Sequence, residues 1–480
     1  MRGFFFTALA SSTLALGACS APTSDIARPE PRPLGREYAA LSSPPPDLET
    51  AQAAGAGSAQ ARSPAPSEGA SSPALSGESQ GVLTLQQALA LSLLGNPELV
   101  VFSYDTRAAE ARTLQASFRP NPELSLESED FGGNRGRSGF QQAQTTLALS
   151  QVVELGAKRA HRLRLARLEE SLAAWDYETK RLDVFVEVTK AFVTVLSGQR
   201  KLALAEATLR IEQQFYATVG ERVLAGQVSP IEQRRADVIL ANGRMAIDKA
   251  KRDLSMARDK LAALWGVRRA RFARVEGDLD NVAAPPPLDR LVTLAAQNPD
   301  LARWTTEIEQ REARLAVERS KNVPDLTVNG GVRRYGDGGS AFVAGVGIPL
   351  PIFGLNRGNV MDAQTQLSKG LAQQRAAEIR IDTAVRQIFE QLAGAYDEVT
   401  TLRRNVLPAA EATFNGTSIG YRDGKFGLLE VIDARRALTD AQSRLVDALS
   451  VYQAALADAE RLTGQPLRDE NSATRTGDKR

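Results

Sequence analysis

The chain says the same thing twice. At an offset of 202 residues, Leu89, Asn96, Pro97, Leu99, Glu110, Ala111, Arg112, Pro122 and Leu124 recur as Leu291, Asn298, Pro299, Leu301, Glu312, Ala313, Arg314, Pro324 and Leu326. Farther on the offset is 198: Gly156, Arg159, Gly226, Glu232, Ala236, Leu240, Leu264 and Gly266 recur as Gly354, Arg357, Gly424, Glu430, Ala434, Leu438, Leu462 and Gly464. The offset changes where each half carries a Gly-rich segment, GGNRGRSG (132–139) and GDGGS (336–340), so a shorter second hairpin accounts for it. Solenoid units recur at roughly 20–50 residues. This repeat is far longer and reads as two copies of one substructure, 83–285 and 286–464.

Within each copy the dominant period is helical. Leu182, Phe185, Val188, Phe192 and Leu196 fall three or four apart, as do Val385, Ile388, Leu392, Tyr396 and Val399, with charged residues between them. Such runs predict amphipathic helices packed side by side. The stretch 158–219 holds a single glycine. As one straight helix it would reach roughly 90 Å at 1.5 Å per residue, which points to a coiled-coil-like tube. The reversals at 223–230 and 421–428 each carry a glycine, Gly226 and Gly424, where one helix hands over to the next.

Two regions per chain break this period. Segments 122–131 and 142–151 flank the first Gly-rich turn, and 324–335 and 341–350 flank the second. Ala143, Thr145, Leu147 and Leu149 alternate with other residues, as do Phe342, Ala344, Val346, Ile348 and Leu350. A tilted membrane-crossing strand needs roughly 9–11 residues. Soluble β-hairpins are the competing reading. Four strands cannot close a barrel, and an open edge in lipid would leave backbone N–H and C=O groups unsatisfied. If these strands span a membrane, several chains share one barrel. Three copies would supply twelve strands, enough to leave a pore where barrels of about eight are filled by side chains.

The first eighty residues are of another kind. Residues 1–18 carry Arg2 and then a short apolar run, the pattern of an export signal rather than a spanning helix. Leu16-Gly17-Ala18-Cys19 resembles a bacterial lipoprotein box, which implies cleavage before Cys19 and a covalent lipid on it; an ordinary signal with a chance cysteine is the alternative. Ser20 at the next position implies, by the same resemblance, sorting to the outer membrane. Cys19 is the only cysteine, so no intramolecular disulfide forms. Residues 19–82, rich in Pro, Ala, Ser and Gly, read as a flexible tether, and 465–480 as a disordered tail.

Catalytic constellations are lacking. The one histidine, His161, sits in the charged helical stretch KRAHRLRLAR and reads as a solvated residue, and one Cys with four Met supplies no soft-metal ligand set. A net charge of +2 with mixed signs gives no reason to expect a nucleic-acid partner. The chain reads as a non-enzyme without cofactor, apart from the lipid on Cys19.

The duplicated NPEL and NPDL starts, the paired hairpins, the segments QVVELGAKR and IPLPIFGLNRG, and the turns AGQVSPIEQRRADVIL and DGKFGLLEVIDARRALTDAQ together resemble the TolC-type outer-membrane efflux proteins. The ELGAKR and PLPIFGLNRG wording, with the lipobox, is most similar to the branch serving heavy-metal cation pumps. The resemblance covers about 83–464. It implies a homotrimer with a twelve-stranded barrel and a long α-helical tunnel in the periplasm. It also implies a periplasmic adaptor and an inner-membrane pump of the resistance-nodulation-division type, with this chain as the passive exit duct. Glu430 and Asp433 match, by resemblance, two aspartates that ring the tunnel mouth; three residues apart on a helix, they share a face. Acids complementing the helix dipole are the alternative reading of the pair. The turns at Gly226 and Gly424 would be where the adaptor docks. Drug efflux, type I protein secretion, and a lipid-anchored periplasmic scaffold are the competing functions.

Overall fold

The structure is a computed structural model and describes residues 81–134 and 139–467. The expected signal segment, Cys19, the tether up to residue 80 and the tail from 468 lie outside the described residues.

The first copy opens with β1 (Val82–Thr84) and α1 (Leu85–Gly95). Thr84 starts α1 with a reciprocal cap: its hydroxyl accepts from the Gln87 N–H, and the Gln87 side chain accepts from the Thr84 N–H. Asn96-Pro97 then starts α2 (Pro97–Ser117), and Asn298-Pro299 starts its counterpart α6 (Pro299–Ser320). Each Asn side-chain oxygen accepts the N–H two residues ahead, and each Nδ2 donates to the end of a distant helix: Asn96 to the Leu264 carbonyl at 2.8 Å, Asn298 to that of Leu462 at 2.7 Å. Proline suits the first helical position because its missing N–H would have no partner there.

The expected long helix is α3 (Lys158–Leu224), 67 residues and roughly 100 Å at 1.5 Å per residue. It packs against α2, α4 (Pro230–Ala263), α6 and α9 (Leu428–Thr463). Its counterpart is interrupted. α7 (Arg357–Thr401) passes through a π turn at Leu402–Val406 into α8 (Leu407–Arg422). Pro408 follows that turn; it cannot donate to a carbonyl one turn back and its ring crowds that turn, so the widened π geometry absorbs the misfit.

The first copy closes on itself before the chain passes to the second. β1 pairs in parallel with β4 (Arg274–Glu276), and Trp265, Phe272, Val188 and Val195 pack beneath them. The connection before α5 (Leu288–Ala295) is tied to α9: the Tyr452 hydroxyl donates to the Ala283 carbonyl at 2.8 Å, and Gln453 Nε2 donates to that of Asn281 at 2.9 Å. Asp280 in the same connection takes Arg200 of α3 and Arg403 of the π turn at once.

The strands of both copies form one antiparallel sheet in the order β2 (Glu123–Glu129), β3 (Gln144–Val153), β5 (Leu326–Tyr335), β6 (Ser340–Gly347). The expected strand 341–350 stops pairing at Gly347, whose partner Thr327 is only one residue from the start of β5. One sequence alignment needs correcting. The left-handed residues that start α3 and α7 are Ala157 and Asn356, 199 residues apart, so Lys158 rather than Arg159 is the counterpart of Arg357.

Candidate functional site: the sheet and the helical tip

Register divides the sheet into two chemistries, since directly paired residues share a face. One cross-strand row reads Leu126, Leu147, Val332, Phe342 and the next Leu124, Leu149, Gly330, Ala344, with Val328 beside Val346 beyond. The other face carries Glu127, Thr146, Arg333 in one row and Glu123, Ser150, Asn329 in another. Arg333 spans three strands there, donating to Thr146 Oγ1 at 2.9 Å and Gln144 Oε1 at 3.0 Å and lying 3.8 Å from Glu129. Gly331 belongs to the polar face, where a Cβ would fall 2.3 Å from the Leu147 carbonyl oxygen. Crowding of that kind is expected on the inner side of a curling sheet. The apolar face is bare; Phe342 is 91% exposed. Both edges, β2 and β6, are unpaired on their outer sides.

At the far end of the helices the two reversals repeat in atomic detail. Gly226 and Gly424 have φ of +69° and +73°. Gln227 N–H bonds to the Arg222 carbonyl and Gly226 N–H to that of Val223; Lys425 and Gly424 do the same to Gly420 and Tyr421. Both are Schellman ends, which need a left-handed residue and so favour glycine.

Glu430 and Asp433 lie in the first turns of α9 and are exposed, and neither is ion-paired among the described residues. The opposite side of the helix, Leu428 and Val431, packs on Val219 and Tyr421. The carboxylates therefore point away from their own protomer's core. Glu232, the counterpart of Glu430, is instead engaged: the Tyr421 hydroxyl donates to it at 3.4 Å. Arg222 stacks 4.5 Å from the Tyr421 ring and donates to its carbonyl. Burial first, then the Glu232 carboxylate, push the Tyr421 hydroxyl above its usual range, against the pull of Arg222.

Sequence reasoning missed a second polar link below the tip. Arg435 of α9 pairs with Glu212 of α3, whose side chain is 5% exposed. The other Glu212 oxygen has no partner and lies over Gly243 of α4, where a Cβ would come within 1.8 Å of it. The only sequence signal was a glycine inside an otherwise strong helical run. Among the described residues no three metal-ligating side chains converge, and no helix is long and apolar enough to cross a membrane.

Comparison with known proteins agrees with this architecture. A family model described as outer membrane efflux protein matches residues 88–267 and 291–465. The cobalt-zinc-cadmium resistance protein CzcC of Cupriavidus metallidurans is 34% identical over 380 residues, covering 79% of this chain and 89% of that one. The nickel-cobalt-cadmium resistance protein NccC of Alcaligenes xylosoxydans xylosoxydans is 25% identical over 358 residues, 74% of this chain and 80% of its own. Among solved structures, a crystal structure of CusC superposes with a TM-score of 0.69 at 18% identity, covering 79% of this chain and 92% of that one. The outer-membrane channel OprN gives 0.68, also at 18%, covering 79% and 89%. With both halves matched in order and the two-faced open sheet in place, the chain belongs to the outer membrane efflux protein family.

Proposed function

We propose that this protein is the passive exit duct of a tripartite efflux system, carrying heavy-metal cations across the outer membrane. The observation that supports it best is the sheet: apolar on one face, polar on the other, and open at both edges. Such a sheet cannot rest alone in lipid, since its edge groups would be unsatisfied. Three copies give twelve strands with the apolar face outward and the Glu127 and Arg333 face lining a lumen. The helices then form the periplasmic tube, and an adaptor and an inner-membrane pump act at its tip, around Gly226 and Gly424. The cargo assignment rests on relatives named for cobalt, zinc, cadmium and nickel resistance.

Glu430 and Asp433 supply the selectivity in this reading. Three copies would bring six carboxylates to one axis, a ring that repels anions and concentrates cations. The protein conducts rather than catalyses, and Cys19 carries the lipid that holds it to the membrane. The test is single-channel current from detergent-purified protein in a planar bilayer under a salt gradient. Wild type should show discrete, cation-selective steps, and Glu430→Gln with Asp433→Asn should lower that selectivity or raise conductance. Unchanged selectivity and conductance in the double variant would sink the ring. No steps from either protein, with intact fold confirmed, would point to a periplasmic scaffold.

A further inference from the structure

A dense run of positive charge follows α4. Residues 266–276 hold four arginines, Arg268, Arg269, Arg271 and Arg274, against one acid, Glu276. All four are exposed, and Arg268, Arg269 and Arg274 have no ion pair among the described residues. We propose that this patch docks the protein on the cell wall, its guanidiniums binding the peptide-stem carboxylates of peptidoglycan. The proposal rests on the reading of the helices as a tube through the periplasm.

The fold does not need these arginines. In the second copy Gly464, the counterpart of Gly266, is followed by Gln465, Pro466 and Leu467, and Leu467 packs on the core. The same joint is built there without a cation among the described residues. The first copy's segment is nonetheless held in place. Ala270 N–H bonds to Asp259 Oδ1 at 3.0 Å, Ala273 N–H to the Gly81 carbonyl at 2.9 Å, and Arg258 donates to the Phe272 carbonyl. Gln199 of α3 brackets Val275, accepting its N–H at 2.8 Å and donating to its carbonyl at 3.0 Å. Phe272 and Val275 are buried, so the arginines between and beside them face out. Nearby acids are engaged: Asp259 by that N–H, and Asp280 by Arg200 and Arg403. Glu276 shares the outer side of β4 with Arg274 and still leaves a positive excess.

Position, shape and number choose the wall as the occupant. The bonds to Gln199 place the patch roughly 60 Å along α3 from its membrane end, at 1.5 Å per residue. Lipid phosphates, screened over about 10 Å at 0.1 M salt, do not reach it. A chain tethered by a lipid outside the tube enters β1 from outside, which puts β1, β4 and the arginines on the outer wall. A tube that crosses the periplasm passes through the wall mesh there. No large apolar side chain is exposed from Trp265 to Leu279. Protein interfaces are anchored by aromatic and apolar side chains at their centre, and this patch has none to offer. Guanidiniums pair with carboxylates through two parallel hydrogen bonds. Three copies set three patches at one height, so individually weak contacts with a continuous polymer reinforce one another.

The experiment is co-sedimentation of the detergent-purified, full-length protein with protease-treated peptidoglycan sacculi. Wild type should pellet at low salt and be released at about 0.5 M salt, where the screening length falls to a few ångströms. Arg268→Gln with Arg269→Gln and Arg274→Gln should pellet about tenfold less, because charge-assisted contacts are lost from every copy at once. Arg244→Gln with Lys251→Gln and Arg252→Gln, which removes the same charge from exposed positions on α4, should pellet like wild type. Sacculi whose carboxylates are capped as amides should no longer hold wild type. Arg268→Gln with Arg269→Gln stands in if the triple variant assembles poorly. A patch variant that pellets like wild type overturns the docking, and so does equal loss in the α4 variant, which would reduce it to net charge. Wild type held equally by amidated sacculi overturns carboxylate recognition. Binding only to sacculi that keep their attached proteins would assign the arginines to an acidic protein instead. The duct reading is tested apart: the patch variant should give wild-type channel steps in a planar bilayer, and a wild type without steps would sink the duct whatever the sacculi hold.

Discussion

Glu212 and Arg435 make the sharpest energetic prediction, because the two partners are unequally buried. Glu212 is 5% exposed, whereas Arg435 is 19% exposed. Removing the base by Arg435→Met strands a carboxylate against Gly243 with neither of its oxygens partnered. Breaking a buried pair from one side costs about 3–5 kcal/mol. Replacing both members by apolar groups, as in Glu212→Leu with Arg435→Met, is often neutral or stabilising, since the desolvation cost disappears along with the attraction. Glu212→Gln should cost less than Arg435→Met, because the freed guanidinium can still reach water. Unfolding of a large membrane assembly is rarely reversible. The readout is therefore local amide hydrogen exchange in the detergent-solubilised protein, over 208–216 and 431–439. Arg435→Met should lower protection there between about a hundredfold and a few thousandfold, the stated cost at about 1.4 kcal/mol per factor of ten. The double variant should recover most of it. Unchanged protection in Arg435→Met, or a double variant as exposed as the single, would refute the argument.

Further expectations rest on single geometries. Gly331→Val should abolish the heat-modifiable mobility of an assembled barrel on detergent gels, because the new side chain meets the Leu147 carbonyl, whereas Gly330→Val, with open space on the apolar face, should keep it. Asn298→Ala removes the cap on Asp300 N–H and the donor to the Leu462 carbonyl, and should destabilise locally by about 2–4 kcal/mol, read as roughly thirtyfold to a thousandfold faster amide hydrogen exchange around 298–302; Asn298→Asp, which keeps the acceptor, should lose less. Burial opposes ionisation of Asp280, but the Arg200 and Arg403 guanidiniums outweigh it and hold the carboxyl below its usual range. A carboxyl lowered on folding gives stability that is full above its unfolded pKa, about 3.9, and lost as pH falls through the folded value. Wild-type melting should thus drop below about pH 4 more steeply than that of Asp280→Asn.

The cargo prediction is genetic as much as biophysical. A strain deleted for this protein should be sensitised to divalent transition-metal ions, and equal growth in metal with heightened sensitivity to apolar drugs would transfer the duct to drug efflux.

What the sequence determined by itself was local or repeated. Gly226 and Gly424 announced helix ends and alternation in 142–151 and 341–350 announced strands, because turns and pleats act over a few residues. The length of α3 followed from an uninterrupted period. Residue pairs far apart in the chain were decided only by the tertiary structure. Glu212 meets Arg435 across 223 positions and Tyr421 meets Glu232 across 189, and neither pair has a local signature. The same holds for Asp280, which draws Arg200 and Arg403 from separate helices. It holds also for β3 joining β5, which makes one sheet of two hairpins and sorts leucines from glutamates by register. Alternation fixes which residues share a face of a strand. Only pairing fixes which strands share a sheet, and it leaves β2 and β6 as the two edges that the proposed barrel would join to neighbouring copies.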